Sequence, residues 1–362
     1  DRSPSRGLGD VYKRQTYILN EVLAAHIVVA WWMPAPKRPG PPSAPVAYVT
    51  LVRHAESRAN VDRVLQGVTD APLTPLGESQ LEALEAAWRA ENAFALPAPT
   101  LIASSPIGRA RATANALARA CGASELSDDG ITHRSAPAAV PEHAAAGAAR
   151  TLHDAALAER NFGADECTRQ GAPVHGYPKP PASELGRAES HAQLERRVAR
   201  AGRKWLDWAW SAGRSATQAT GVAPAGPTDD KSPERANGEA AGAADVATPP
   251  SESEESTPAA VPHLVLVTHG QWINTFLGHF LPHLRVGESA YYIRSANTSV
   301  FTITLHPPRP HTSLPELRLL HRNDTRHLAH LPQPSRKRVR STQSTTLAQL
   351  WRAPPPKRGR QD

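Results

Sequence analysis

Cysteine, methionine and aromatic residues are scarce in this 362-residue sequence. The two cysteines, Cys121 and Cys167, are too few for a disulfide framework, which favours a reducing compartment such as the cytoplasm. The longest apolar run, at 24–33, is too short to cross a bilayer. The sequence therefore argues against a disulfide-stapled secreted domain and against a membrane-spanning protein.

Proline and glycine are abundant by contrast, at 35 and 23 residues. An apolar content of 40% is enough for a substantial core, so this mixture predicts a folded part interrupted by unfolded segments. Residues 33–46 are proline-rich and are predicted to be flexible. Residues 211–260 contain no aromatic residue, leucine or isoleucine, and we expect them to form a disordered insertion within one domain, 47–330.

The two ends of the chain are predicted to lie outside this domain. Met33 is the only methionine, and the residues before it resemble translated sequencing-adapter sequence. We therefore interpret residues 1–32 as a non-native translated leader. At the other end, residues 332–362 hold eight basic residues and one acidic residue, which equals the whole net charge of +7. We expect 331–362 to be a disordered basic tail.

The basic tail allows two interpretations. Its clusters at 336–340 and 357–360 resemble a two-part nuclear import signal, so an import receptor would be a partner and the protein would be nuclear as well as cytoplasmic. The equal alternative is a solvated tail without an address, whose charge would attract nucleic acid non-specifically. The sequence predicts no oligomeric state.

Strand and helix patterns alternate along the rest of the chain. Short runs of β-branched and apolar residues predict strands at 47–52, 100–104, 263–268, 299–305 and 317–321. Apolar residues at helical spacing follow the first three of these strands and recur over 188–210. The alternation predicts an α/β fold, with three α/β/α layers around a mostly parallel central sheet. The weaker pattern at 122–190 predicts a small, partly irregular cap.

Two histidines follow predicted buried strands, His54 after the first and His269 after the third. The carboxyl ends of parallel strands meet at one edge of a sheet, where ligands bind, so both imidazoles can share a site. Arg53 lies beside His54, and Arg109 lies in the first turn of the helix after the second strand. Guanidinium groups and a helix N-terminus favour an anion, and arginine pairs bidentately with phosphoryl oxygens.

Four ordered sequence blocks resemble the histidine phosphatase, or phosphoglycerate mutase-like, superfamily over 47–325. The blocks are LVRHAESRAN (51–60), LQGVTDAPLTPLGESQ (65–80), ASSPIGRARATANALA (103–118) and LVTHGQWINTFL (266–277), and ANTSV (296–300) follows. The resemblance implies a phosphoglycerate mutase-like fold. It also implies phosphoryl transfer without a metal or organic cofactor, and the remaining histidines show no metal-ligand spacing.

The resemblance also implies residue roles. His54 would be the nucleophile that forms a phosphohistidine, while Arg53, Arg109 and His269 would bind the transferred group. Asn60 and Gln66 match positions that approach the phosphate or the substrate.

A proton donor is also needed for the leaving oxygen. The stretch LAERNFG (157–163) resembles the family's donor loop and makes Glu159 the candidate, with Glu142 and Glu166 as alternatives. The sequence after it, Asp165-Glu166-Cys167, departs from the family's usual ending, which puts the shape of this loop in doubt.

Three functions fit these residues. The first is a phosphatase that hydrolyses a small phosphorylated metabolite. The second is a phosphoglycerate mutase, although the longer closing segments of the cofactor-dependent mutases are not recognised in this sequence. The third is a non-catalytic scaffold that binds a phosphorylated ligand, which the complete set of catalytic residue types argues against. Selectivity is expected to reside in the cap region, 122–190.

Overall fold

The computed structural model describes part of the chain. The described residues are 43–89, 93–139, 141, 149–177, 180–219, 260–284, 295–309, 312 and 314–332. The predicted leader lies outside them, as do residues 33–42 of the proline-rich segment, 220–259 of the insertion and 333–362 of the tail. The interpretations of those segments, nuclear import included, therefore stay predictions. Across the described residues, no helix has both the length and the apolarity needed to cross a membrane.

The described elements alternate between strands and helices. The strands are β1 (Ala47–Arg53), β2 (Leu101–Ser104), β3 (Arg150–His153), β4 (Thr168–Arg169), β5 (Ala172–Pro173), β6 (His263–Thr268), β7 (Val300–His306) and β8 (Glu316–Asp324). The helices are α1 (Arg58–Asp62), α2 (Pro75–Arg89), α3 (Gly108–Ala120), α4 (Ala182–Leu185), α5 (His191–Ala219) and α6 (Gly270–Phe280).

Six strands form the central sheet, in the order β3-β2-β6-β1-β7-β8. The first four of these strands run parallel to one another. Strand β7 runs antiparallel to β1, and β8 runs antiparallel to β7. The predicted mostly parallel sheet is therefore confirmed. The pair β4 and β5 forms a separate small hairpin outside the sheet.

Helices cover both faces of the sheet. On one face, α5 and α6 bury Trp205 and Phe276 against strand residues such as Leu266. On the other face, α2 and α3 bury Leu84 and Leu117 against residues of the opposite strand faces. Because alternate residues of a strand point to opposite faces, the β-branched runs supply both cores, which confirms the three-layer prediction.

The cap region contains a strand that the sequence analysis missed. Residues Arg150–His153 pair in parallel with β2 and form one edge of the central sheet. The run RTLH is short and mostly polar, and only its last residue is buried. It carries no buried-strand signature because an edge strand has a neighbour on one side alone.

The predicted start of the disordered insertion was wrong. Helix α5 continues without a break to Ala219, so 211–219 belong to the folded domain. Sequence composition could not show this, because the segment carries no large apolar residue. A tertiary contact holds it: Gly213 is buried against Val46, where a side chain would overlap the Val46 backbone. Small residues here let the helix lie directly on the segment that leads into β1.

His263 is a buried polar residue at the start of β6. One ring nitrogen lies 2.7 Å from the Pro97 carbonyl oxygen and must donate to it, while Nε2 lies 2.8 Å from Thr50 Oγ1. Thr50 Oγ1 also lies 3.1 Å from Thr302 Oγ1. The neutral imidazole therefore joins three strands and the segment before β2 in one hydrogen-bonded network whose side chains are buried.

We predict that His263 makes the fold sensitive to acid. Burial lowers its pKa from 6.5 to about 4. Because the unfolded chain then binds the extra proton, this stabilisation is complete above pH 6.5 and is lost as the pH falls toward 4, by about 3 kcal/mol. Urea unfolding of the His263→Gln variant across this range should show a shallower loss of unfolding free energy than the unaltered protein.

His279→Gln is the matched control, because the His279 side chain is exposed on α6. Its unfolding free energy should follow that of the unaltered protein at every pH. Equal slopes for the His263 variant and the unaltered protein would contradict the prediction.

Candidate active site

The parallel pairing of β1 with β6 brings the two predicted histidines together. Arg53, the last residue of β1, is in register with Thr268, the last residue of β6. The residue that follows each strand is a histidine, and the His54 amide donates to the Thr268 carbonyl at 3.0 Å. The rings of His54 and His269 lie 5.1 Å apart between centroids, and both side chains are buried.

The hydrogen bonds of His54 fix which ring nitrogen carries the proton. Nδ1 lies 2.7 Å from the Ala55 carbonyl oxygen, an acceptor only, so Nδ1 is the protonated nitrogen. Nε2 then keeps its lone pair. The Nε–H of Arg109 donates a long hydrogen bond of 3.4 Å to this lone pair, which places a cation beside the nitrogen that can act as a nucleophile.

Ser105 sets the orientation of His269. The Ser105 hydroxyl oxygen accepts weakly from the Ile107 amide at 3.3 Å and lies 2.8 Å from His269 Nε2. The hydroxyl can donate to Nε2 or accept from it, so both neutral tautomers of His269 satisfy this contact. Among the described residues, the buried Nδ1 has no hydrogen-bond partner. In the tautomer that carries its proton on Nδ1, His269 can donate to an anion.

A loop of carbonyl groups holds Arg109 in place. Its guanidinium donates to the Gly67 carbonyl at 2.8 Å and to the Thr69 carbonyl at 2.7 Å, and it lies 3.3 Å from an Asp70 carboxylate oxygen. Arg109 is only 3% exposed, so these acceptors offset part of the cost of burying its charge. The edge that includes Nε stays directed at His54.

Arg53 approaches the same region from β1. Its NH1 donates to the Ser295 carbonyl at 2.5 Å. Its Nε lies 3.6 Å from where a Cβ would stand on Gly270, the first residue of α6. The guanidinium therefore lies against the N-terminus of a helix, where both the cation and the helix amides favour a negatively charged ligand.

The predicted substrate residues Asn60 and Gln66 contact the loop that follows His54. Asn60 Oδ1 accepts from the Ser57 amide at 3.1 Å and from Asn297 Nδ2 at 3.1 Å. Gln66 Oε1 accepts from the Ser57 hydroxyl at 2.8 Å, and its buried Nε2 has no partner among the described residues. Both side chains therefore support the loop that follows His54, and their predicted contact with substrate is untested.

Glu159 lies at the N-terminus of α6, next to the two histidines in the fold. One carboxylate oxygen accepts from the Gln271 amide at 3.2 Å, and the other accepts from the Arg160 amide at 2.9 Å. The side chain is partly exposed and lines a cavity. Each oxygen keeps a second lone pair, so the group can exchange a proton with a ligand in that cavity.

Glu166, one of the two alternatives, has a different position. Its carboxylate is fully buried and accepts from the amides of Val68, Thr69 and Phe162 at 2.8–3.0 Å. Gly67 adopts a positive φ of 55°, and a Cβ there would overlap the Glu166 carboxylate. Glu166 therefore holds the loop that positions Arg109. The other alternative, Glu142, lies outside the described residues.

Burial and the two arginines keep both histidines neutral. Burial, followed by the charges of Arg109 and Arg53, holds the pKa of His54 well below 6.5. Burial is also the largest cause for His269, whose pKa is held well below 6.5 with further contributions from Arg109 and His54. At neutral pH the site thus holds two uncharged imidazoles and two guanidiniums, a combination suited to a phosphoryl group.

A cavity of about 470 Å³ opens beside Glu159. Its polar lining includes His133, Glu159, Arg187, Glu189, Gln193 and Arg197. Most of these come from the cap region and α5, so the cap shapes the space next to Glu159. Among the described residues, no group of three or more histidine, cysteine or acidic side chains is arranged to hold a metal ion.

Three residues of the site were missed as functional residues in the sequence. Ser105 orients His269, Asp70 faces Arg109, and Asn297 donates to the His54 carbonyl at 3.0 Å. All three lie within the sequence blocks or the ANTSV segment that carried the family resemblance. Their position inside these segments was the sequence signal that could have identified them. They form no pattern of charge, and they do not recur at a regular spacing along one helix or strand.

A family model confirms the resemblance over the first three sequence blocks. The model of the histidine phosphatase superfamily (branch 1) matches residues 49–138. Probable phosphoglycerate mutases GpmB from Klebsiella pneumoniae subsp. pneumoniae and Escherichia fergusonii are 41% and 45% identical over 80 residues. The match covers 22% of this chain and 34% of each relative, so the chain spans about a third of the length of the curated relatives it matches.

Solved structures of phosphatases are loosely similar. A mycobacterial glucosyl-3-phosphoglycerate phosphatase in complex with VO3 is 18% identical and covers 77% of this chain and 100% of its own, with a TM-score of 0.41. An Entamoeba histolytica phosphoserine phosphatase mutant with phosphoserine is 18% identical and covers 78% and 99%, with a TM-score of 0.39. Values this low say nothing about the substrate of this chain.

We predict that His54 is neutral at pH 6.5, with its proton on Nδ1. An exposed imidazole would be about half protonated at this pH. Long-range ¹H–¹⁵N spectra of histidine-labelled protein distinguish the two tautomers and the cation, and the His54→Gln variant assigns the signals. A half-protonated ring, or a neutral ring with its proton on Nε2, would contradict the described geometry.

Proposed function

We propose that this chain, which matches the histidine phosphatase superfamily model over residues 49–138, is a member of that superfamily and a phosphatase acting on a small phosphomonoester. The observation that carries the proposal is the orientation of His54. Its protonated Nδ1 is tied to a backbone carbonyl, and its unprotonated Nε2 lies 3.4 Å from Arg109. A buried, neutral imidazole held in this way is an activated nucleophile.

In the proposed first step, the lone pair of His54 Nε2 attacks phosphorus. The bond from phosphorus to the ester oxygen breaks on the opposite side, and its electrons stay on the leaving oxygen. Arg53 and Arg109 neutralise the charge on the equatorial phosphoryl oxygens, and His269 Nδ1–H donates to one of them. Phosphoryl transfer needs mainly such positioning and neutralisation, and the described site supplies both.

Glu159 is the proposed proton donor to the leaving oxygen. Its contact with the Gln271 amide, two residues after His269, supports this role, whereas the Glu166 carboxylate is occupied by three backbone amides. In the second step, a water molecule attacks the phosphohistidine while Glu159 accepts a proton from it. The nitrogen–phosphorus bond breaks and returns its electrons to Nε2, which restores the free enzyme and releases phosphate.

A phosphoglycerate mutase is the second candidate, favoured by the names of the relatives that match over 80 residues. The same phosphohistidine would then return its phosphoryl group to a product and not to water. Release of inorganic phosphate compared with isomerisation of phosphoglycerate separates the two activities. Binding of a phosphomonoester without either activity would favour the scaffold interpretation.

We predict that His54→Ala lowers phosphate release from p-nitrophenyl phosphate by at least about 10³-fold, because the covalent route is lost. The unaltered protein should also retain acid-labile ³²P after brief exposure to a labelled substrate, and the variant should not. His279→Ala is the matched control, since that histidine is exposed near the C-terminal end of α6, away from the helix N-terminus at the site. Unchanged phosphate release in the His54 variant would refute the proposed function.

We predict that Glu159→Gln acts according to the leaving group. For alkyl phosphates, whose leaving oxygen needs a proton, kcat/KM, which reports the steps up to phosphohistidine formation, should fall by about 10²–10⁴-fold. For p-nitrophenyl phosphate the fall in kcat/KM should be much smaller, because p-nitrophenolate leaves without a proton. Glu82→Gln, an exposed residue of α2 that lines no part of the cavity, is the control. An equal fall for both substrate types would argue against Glu159 as the donor.

A further inference from the structure

The cavity beside Glu159 contains one cation that no described residue neutralises. Arg197 is fully engaged, since it pairs with Glu189 at 2.7 and 2.9 Å and donates to the carbonyls of Ala156, Ala158 and Glu159. Arg187 also lines the cavity, and the described residues offer it neither an ion pair nor a hydrogen bond. The guanidinium of Arg187 is therefore available to a ligand in this space.

His133 lines the same cavity with an unused polar atom. Its Nε2 is buried and has no hydrogen-bond partner among the described residues. Burial, followed by the charges of Arg134 and Arg197, lowers the pKa of His133, so the ring is neutral near pH 7 and can donate one hydrogen bond. A buried polar atom in a native structure normally has a partner, and a ligand oxygen would supply it.

The backbone around Arg187 is fixed to the loop that carries Glu159. Asn161 Nδ2 donates to the Leu185 carbonyl at 2.5 Å, and the Glu189 amide donates to the Asn161 carbonyl at 2.7 Å. Leu185 and Glu189, which lie two residues on either side of Arg187, are thus both bound to Asn161, two residues after Glu159. The backbone that carries Arg187 therefore has a set place relative to the proposed proton donor, and its exposed side chain can reach into the cavity.

The turn that carries His133 is attached to the same part of the cap. Arg134 donates to the Ser183 carbonyl of α4 at 2.6 Å. Two separate cap segments, at 132–135 and 182–190, therefore meet around the cavity. No phenylalanine, tyrosine or tryptophan among the described residues lines it. The lining thus suits a charged, hydrophilic group and offers no surface on which a flat aromatic group could stack.

We propose that Arg187 and His133 form a second anion-binding subsite, so the preferred substrates are phosphomonoesters that carry another anionic group on the leaving-group side. This inference rests on the proposed function, which places the leaving group next to Glu159. A guanidinium and an imidazole N–H recognise either a carboxylate or a second phosphate. Both are oxyanions, and the substrates of the test separate them.

The test uses two matched pairs of substrates. 3-Phosphoglycerate differs from glycerol 3-phosphate by a carboxylate in place of a CH₂OH group, and propane-1,3-diol bisphosphate differs from the monophosphate by one phosphate. The ratio of kcat/KM within a pair should favour the anionic member in the unaltered protein. Because Arg187→Gln would remove a charge-assisted hydrogen bond to the second anionic group, we predict that it lowers this ratio by about ten- to hundredfold. A preference in only one pair identifies carboxylate or phosphate as the second group.

Further variants keep the test specific. Arg187→Lys should keep part of the preference, Arg187→Glu should lower it further, and His133→Asn should lower it less than Arg187→Gln. Arg203→Gln is the control, because Arg203 is exposed on α5 and does not line the cavity. The subsite is refuted if the unaltered protein shows no preference in either pair. It is also refuted if Arg187→Gln lowers both members of a pair equally.

Calorimetric binding to the His54→Ala variant separates failure of the subsite from failure of the proposed function. If no substrate releases phosphate, the proposed function fails, and the affinities of 3-phosphoglycerate and glycerol 3-phosphate still report on the subsite. Tighter binding of 3-phosphoglycerate that is lost in the His54→Ala, Arg187→Gln double variant supports the subsite. Equal affinities for both ligands, and for the two propanediol phosphates, refute it.

Discussion

The parallel register of β1 with β6 is the constraint on which the rest of the site depends. It places Arg53 opposite Thr268 and so sets His54 and His269 side by side. The apolar pattern does not fix this register, because β6 is buried and apolar on both faces. The hydrogen bonds of buried His263, at the other end of β6, do distinguish the correct register from its neighbours. A shift of one residue would leave the hydrogen-bond partners of His263 unsatisfied.

Burial has a second consequence at this edge of the sheet. It keeps both imidazoles neutral, and it also makes the charge of Arg109 costly. The loop over residues 67–70 offsets that cost with carbonyls and Asp70. Glu166 in turn stabilises the loop by accepting from its amides. The proposed phosphoryl site is thus supported by a second set of residues that need not touch the substrate.

The cap connects this machinery to selectivity. Arg160 and Arg197 bind Glu189, which joins the end of the cap to the loop carrying Glu159. The same segment presents Arg187 to the cavity. Loop residues placed by a rigid scaffold commonly decide what a site binds, and here the scaffold contacts are numerous. Recognition of the leaving group and delivery of its proton would therefore depend on one continuous structure.

The sequence by itself determined the layered α/β fold and pointed to His54, His269, Arg53 and Arg109, because strand periodicity and strand-end residues are local signals. The features that depend on long-range contacts were decided by the tertiary structure alone. The polar edge strand β3 and the extension of α5 to Ala219 exist through packing against neighbours that no local pattern records. The structural role of Glu166 and the exposed charge of Arg187 were equally hidden, since a carboxylate or a guanidinium acquires its function from the atoms that surround it after folding.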